Sequence, residues 1–188
     1  KSGHVRVYQW NGTVWNQRGS DIDGEAAGGQ SGWSVALSSD GTIVAIGAYL
    51  NDGNGTHSGH VRVYKWNGTD WNQRGSDIDG KADYHQSGGS VALSSDGTIV
   101  AIGAYADAQG YVHVYQYVEQ SETWTQLGSD IIGESSLDWS GYSVALSSNG
   151  TIVAIGAPNN DGTITDNLFD NRGHVRVYQY SEQSDSWT

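Results

Sequence analysis

Cysteine and methionine are absent from the 188 residues, and proline and phenylalanine occur once each. Without cysteine there is neither a disulfide framework nor a thiolate metal centre, so cysteine usage leaves the redox compartment open. Cationic residues are scarce: nine Lys and Arg stand against 21 Asp and Glu, a formal charge of −12. Such a chain repels a phosphate backbone, which removes nucleic acid from the expected partners. No apolar run approaches the roughly 20 residues of a membrane-spanning helix, and no basic amphipathic segment suits a membrane surface, so no membrane insertion is expected. The chain starts at Lys1 and carries no secretion-signal pattern, which reads as a mature product or as part of something longer.

The residues in surplus are 27 Gly, 11 Tyr and 8 Trp. Aromatic residues favour strands and glycine favours tight turns, so the composition points to an all-β chain. Its organisation is repetitive. Gly3-His4-Val5-Arg6-Val7-Tyr8 returns at 59–64, as Gly110-Tyr111-Val112-His113-Val114-Tyr115, and again at 173–178. A second block, from Ser34 to Ala48, recurs from Ser90 and from Ser143.

Each unit reads as four short strands. Strand A spans 34–38 and strand B 42–48, joined by Asp40-Gly41. Strand C spans 60–66, and strand D runs from about residue 70 to 78 after Asn67-Gly68. Both dipeptides suit two-residue type I′ hairpins. Four antiparallel strands per period describe a propeller blade. The fold class is therefore an all-β, β-propeller-like array of tandem four-stranded antiparallel blades, with about three and a half repeats visible as part of a longer array. The expected divisions are a partial blade at 1–31 (strands C and D), blades at 32–87 and 88–140, and a blade at 141–188 whose last strand is incomplete.

Alternation along strands A and B sets Val35, Leu37, Val44 and Ile46 against Ala36, Ala45 and Gly47. Both faces are apolar but unlike in relief, so each sheet needs copies of itself on either side. On strand C, Val61 and Val63 alternate with His60, Arg62, Tyr64 and Trp66, a stripe read as inter-blade packing with the arginine head hydrogen-bonded.

The run Gly141-Tyr142-Ser143-Val144-Ala145, then Ile152 to Pro158, then Gly173-His174-Val175-Arg176-Val177-Tyr178 resembles the FG-GAP repeats of integrin α-subunit propellers. The resemblance implies an extracellular seven-bladed propeller used in adhesion or ligand binding. Calcium-bearing members have an Asp-rich loop between the first two strands, whereas Ser38-Ser39-Asp40-Gly41 is a tight turn without room for an oxygen cage, so those sites do not carry over. The strand pattern Val91 to Gly97 also resembles WD-type repeats, without their Gly-His and Trp-Asp signatures.

The loops between strands B and C vary, from Tyr105 to Gln109 to the long Pro158 to Arg172, and share an end with the D-to-A loops. Most of the acidic residues gather there, and variable loops on a rigid frame are where binding resides. Asp52, Asp107, Asp161 and Asp166 are the ligand-face candidates, for a protein or glycan partner. The same carboxylates also suit plain turn geometry and solubility. Asp21, Asp77 and Asp130 recur in a Gly-Ser-Asp-Ile context, as a structural cap would. Calcium is the one cofactor considered. Its candidates are Asn159, Asp161 and Thr163, in a string that lacks the closing Glu of a calcium loop.

Four Asn-Gly-Thr sequons, at Asn11, Asn54, Asn67 and Asn149, are candidate N-glycosylation sites in a secreted protein, although Asn-Gly is also a preferred turn. No His-Glu-x-x-His or Gly-x-Ser-x-Gly motif occurs, and Ser38 to Thr42 fails the spacing of the sialidase Asp turn. No enzymatic activity is expected. The expectation is a secreted or cell-surface adhesive module that binds through its acidic loop end. The alternatives are a repeat subunit that packs with neighbouring copies in a fibre or surface layer, and a glycan-processing hydrolase.

Overall fold

The computed structural model describes residues 1–106, 109–161 and 171–188. Among them there are eighteen strands and no helix. The first, partial blade holds β1 (His4–Val5), β2 (Tyr8–Trp10), β3 (Trp15–Gln17) and β4 (Ile22–Asp23). The second holds β5 (Ser34–Leu37), β6 (Ile43–Ala48), β7 (His60–Trp66), β8 (Trp71–Gln73) and β9 (Ile78–Asp79). The third repeats this as β10 (Ser90–Leu93), β11 (Ile99–Ala104), β12 (Tyr111–Val118), β13 (Thr123–Gln126) and β14 (Ile131–Ile132). The fourth holds β15 (Ser143–Leu146), β16 (Ile152–Ala157), β17 (His174–Ser181) and β18 (Ser186–Trp187).

The sheets are antiparallel in the order β5-β6-β7-β8 and β10-β11-β12-β13, as the blade reading requires. Strand D is not continuous as expected. It splits into β8 and β9, both paired to β7, and the break at 74–77 turns Asp77 back toward Arg62. The type I′ turns are also corrected. Asp40 keeps negative φ while Gly41 takes +66°, and Gly41 N–H donates to the Ser38 carbonyl at 2.9 Å, a type I turn closing on a left-handed glycine. Side chains make this affordable: Asp40 Oδ1 accepts from Thr42 N–H (2.9 Å) and Ser38 Oγ from Ile43 N–H (2.9 Å). At the other hairpin, β7 and β8 last pair at Trp66 and Trp71, and Asn67 Oδ1 accepts from Thr69 N–H at 2.8 Å.

Apolar burial lies between blades. Ile43, Ala45, Val61, Val63 and Ile78 of the second blade meet Val100 and Ile102 of the third. Ile99, Ala101, Val112, Val114 and Ile131 then meet Val153 and Ile155 of the fourth, and Val7 and Ile22 meet Val44, Ile46 and Trp71. The small residues have a stated purpose here. A Cβ on Gly47 would collide with the Gly88 carbonyl oxygen of the next blade, and one on Gly103 with that of Gly141. Those carbonyls accept instead from Ser34 Oγ and Ser90 Oγ, both at 2.7 Å.

A tryptophan brace accompanies each junction. Trp71, Trp124 and Trp187 donate Nε1–H to the carbonyls of Arg18 (2.7 Å), Arg74 (2.8 Å) and Leu127 (3.0 Å) of the preceding blade. The end faces carry the same groups without a neighbour: Val177 is 64% exposed, while its counterpart Val63 is 1% exposed. This contrast is testable. Ile102→Ala, at a filled junction, should lower unfolding free energy by about 3 kcal/mol, and Val177→Ala by less than about 0.5 kcal/mol, both read from urea denaturation midpoints.

Candidate functional site

The loops between strands B and C and those between D and A emerge together at one end of the blades and are knitted to each other. In the second blade Asn54 Nδ2 donates to the Gly80 carbonyl (2.8 Å), Thr56 N–H to Asp83 Oδ1 (2.9 Å) and His57 N–H to Asp52 Oδ1 (2.7 Å). In the fourth, Asn171 N–H donates to Asp161 Oδ1 (3.0 Å) and Asn160 Nδ2 to Asp138 Oδ2 (2.6 Å). Asp52 and Asp161 therefore each lend an oxygen to their own loops. Asn159 is half-buried, its N–H donating to the Asp138 carbonyl at 3.2 Å. Asp107, Asp166 and Thr163 lie outside the described residues.

Several of the exposed side chains at this end are aromatic. Trp33, just before β5, lies 4.6 Å from Tyr49, just after β6. One blade further on, Tyr105 lies 5.2 Å from Tyr142 and 6.2 Å from Trp139, and Trp139 stacks on Tyr142 at 5.9 Å with ring planes 19° apart. Trp33, Trp139 and Tyr142 are all exposed. Trp139 has φ +58°, as Gln30 and Gln86 have +55° at the matching loop position. A bulky residue held in the left-handed region is a strained choice, and such choices cluster at functional sites.

Beneath the loops, each junction carries a polar cluster built from a D-to-A loop residue and the following strand C. At the first, the Arg62 guanidinium bridges Glu25 of the first blade and Asp77 of its own, the latter at 2.6 Å. Burial works against ionisation of Glu25 and Asp77. Hydrogen bonds from Arg62, with Asn51 on one and Gln73 on the other, outweigh it and hold both carboxyls below the usual range. Asp79 has no such donor, and burial beside Asp77 pushes its carboxyl up. His60 Nδ1 is buried without a hydrogen-bond partner, 3.8 Å from Glu25 Oε1 and 3.7 Å from Asp77 Oδ2. Glu25, His60 and Asp77 form the one trio among the described residues that brings metal-ligating atoms within 4.8 Å of one another.

The second junction is built differently. Lys81 takes the place of Glu25 and puts Nζ 2.7 Å from both Asp130 oxygens, Tyr111 replaces His60, and His113 replaces Arg62 with Nδ1 2.9 Å from Asp130. Burial pushes the His113 imidazole down to about 4. At the third, Arg176 pairs with Glu134, and His174 Nδ1 stands 3.8 Å from Glu134 Oε2. Asp21 and Asp77 are thus ion-pair partners of strand C, and Asp130 pairs with Lys81 while accepting from His113 of strand C, rather than acting as turn caps. The sequence reading missed the His60 cluster because it took these aspartates one at a time. The signal was the joint change of Glu25 and His60 to Lys81 and Tyr111 in the next repeat.

The four sequon asparagines are exposed. Asn11, Asn67 and Asn149 use Oδ1 to close their turns, and Asn54 uses Nδ2 on Gly80. Asp40, at the place of the family's calcium loop, is already engaged by Ser38 and Thr42.

The FG-GAP repeat model matches residues 21–64, which bears out the resemblance seen in the repeats. No curated protein matches the chain in sequence. Among solved structures, a candidate 6-phosphogluconolactonase of Bacteroides uniformis is similar with a TM-score of 0.66 and 11% identity over 100% of this chain and 47% of its own. The periplasmic gluconolactonase of Pseudomonas aeruginosa gives 0.60 and 18% over 99% and 49%. Sqt1 of Saccharomyces cerevisiae gives 0.51 and 16% over 84% and 34%. The chain spans less than half the length of each. The fold is that of a propeller-type repeat protein, with an FG-GAP repeat match confined to residues 21–64, and at these identities the structural likeness speaks for the fold alone.

The expectation that the chain is not an enzyme is corrected by these neighbours, since structures of this shape include proteins named as gluconolactonases. The reason is physical: a propeller site gathers residues from separate blades, so the absence of a linear catalytic motif carries no weight.

The His113 junction sets a pH dependence. Its imidazole is neutral in both states above pH 6.5, and as pH falls from there toward about 4 the unfolded chain takes up a proton that the folded chain refuses. Stability should therefore decline across that window, and His113→Gln, facing the same Asp130, Lys81 and Tyr111, should flatten the fall in melting temperature measured from pH 7 to 4.5.

Proposed function

We propose that the chain is an extracellular adhesive binding module that takes a glycan on the loop end of its blades. The observation that carries this reading is the exposed aromatic residues Trp33, Trp139 and Tyr142, with Tyr49 and Tyr105 packed against them. Sugar rings offer apolar C–H faces to such rings and hydroxyls to carboxylates, and sites of this make-up combine aromatic walls with a few placed polar groups. The FG-GAP match at 21–64 supports a binding role, and the exposed sequons at Asn11, Asn54, Asn67 and Asn149 support secretion.

Sister repeats supply the controls. Trp33→Gly and Tyr142→Gly install the residue of Gly89, and Trp139→Gln that of Gln30 and Gln86, so each should fold. Screened on a glycan array and titrated by calorimetry, each should weaken binding of the selected glycan at least tenfold with melting temperature within a few degrees of wild type. Undiminished binding by all three would overturn the reading.

A second reading, hydrolysis of a sugar-derived substrate, rests on Asp79, whose raised carboxyl is what a general acid needs, together with the names of the gluconolactonase neighbours. Assay of the protein on glucono-lactone tests it: activity lost in Asp79→Asn supports hydrolysis, and activity absent or indifferent to that change refutes it.

A further inference from the structure

The first blade junction differs from the second in one respect that calls for a ligand. Glu25, Asp77 and Asp79 bring three carboxylates to the first junction against the single guanidinium of Arg62, beside a buried His60. At the second junction the corresponding positions are Lys81, Asp130 and Ile132, with Tyr111 in place of His60, and the one ammonium matches the one carboxylate. The repeat thus swaps three ligating groups together for a built-in cation and two non-ligating side chains.

His60 supplies the independent sign. Its side chain is 3% exposed, its Nδ1 has no hydrogen-bond partner, and that atom points between Glu25 Oε1 at 3.8 Å and Asp77 Oδ2 at 3.7 Å. These separations are too long for hydrogen bonds. They lie close to the roughly 3.4 Å that donors keep from one another around a tetrahedral zinc ion. Around the donors the second layer is in place: Asn51 Nδ2 holds Glu25 Oε1 at 2.9 Å and Gln73 Nε2 holds Asp77 Oδ1 at 2.6 Å.

We propose that His60 Nδ1, Glu25 and Asp77 bind a divalent transition cation of the zinc class, with Asp79 completing the charge balance, and that this ion pins the first blade to the second. One imidazole and two carboxylates form a borderline donor set that suits Zn²⁺ over the harder alkaline-earth ions. Arg62 stays on Glu25 Oε2 and on both oxygens of Asp77 as an orienting group, so that Asp77 Oδ2 is shared between the guanidinium and the ion. Neutral His60 coordinates as its Nε2–H tautomer.

The site is separate from the glycan surface, and the test keeps them apart. Chelator-treated protein is titrated with Zn²⁺ by calorimetry, and with Co²⁺ while visible absorption is recorded. Wild type should bind one ion with a cobalt spectrum of low coordination number. Glu25→Gln and His60→Gln should each weaken binding roughly 10- to 100-fold, Glu25→Lys, the residue of the sister junction, should abolish it, and Trp33→Gly should leave it unchanged. Zn²⁺ should also raise the melting temperature of wild type and not of Glu25→Lys. Wild type that takes up no more Zn²⁺ than Glu25→Lys, or variants that bind as wild type does, would overturn the proposal. Should His60→Gln fail to fold, Glu25→Gln, on an exposed loop, decides the outcome alone.

Discussion

Everything in this molecule depends on the face-to-face contact between successive four-stranded sheets. A blade has two apolar faces and, among the described residues, no helix to cover either, so its valines and isoleucines leave water only when another blade lies against them. Full burial of one such side chain contributes about 1.5–3 kcal/mol, and each filled junction collects several. The glycines of strand B follow from the same contact. At Gly47 and Gly103 the neighbouring backbone comes so near that no Cβ fits, and the serine hydroxyls of Ser34 and Ser90 satisfy the carbonyls that make the approach.

That contact also decides where chemistry can vary. The apolar interior of each junction repeats almost unchanged, while its polar margin differs: Glu25 with His60 at one, Lys81 with Tyr111 at the next, Glu134 with His174 at the third. A rigid frame tolerates this because the margin is held by the strands beneath it. The loop end shows the same division, with Tyr105, Trp139 and Tyr142 gathered between the third and fourth blades and Trp33 against Tyr49 within the second, while the third blade has Gly89 at the position of Trp33 and Tyr142.

Much of the fold was legible because its signals are local. Period-two alternation at Val35 to Leu37 and Val61 to Val63, and glycine after Asp40, Asp96 and Asn149, each concern residues a few positions apart. The errors were local as well. The type I′ turn was inferred from Asp-Gly alone, without the Ser38 hydroxyl that stabilises another turn type, and strand D was drawn through Arg74 to Asp77, where Arg62 pulls the chain aside. The site was scarcely legible. Asp52 and Asp161 stood out for charge and loop position, yet their carboxylates serve their own loops, whereas Glu25 and His60 stand 35 positions apart in the chain and meet only across a junction.

By itself the sequence determined the repeat, the strand order and the need of each sheet for a neighbour, since these follow from alternation and self-similarity along the chain. Only the tertiary structure decided which polar groups confront one another. The residues that meet at a junction come from the loop of one blade and the strand of the next, and their separation depends on the angle and depth at which two sheets pack, which no linear pattern records.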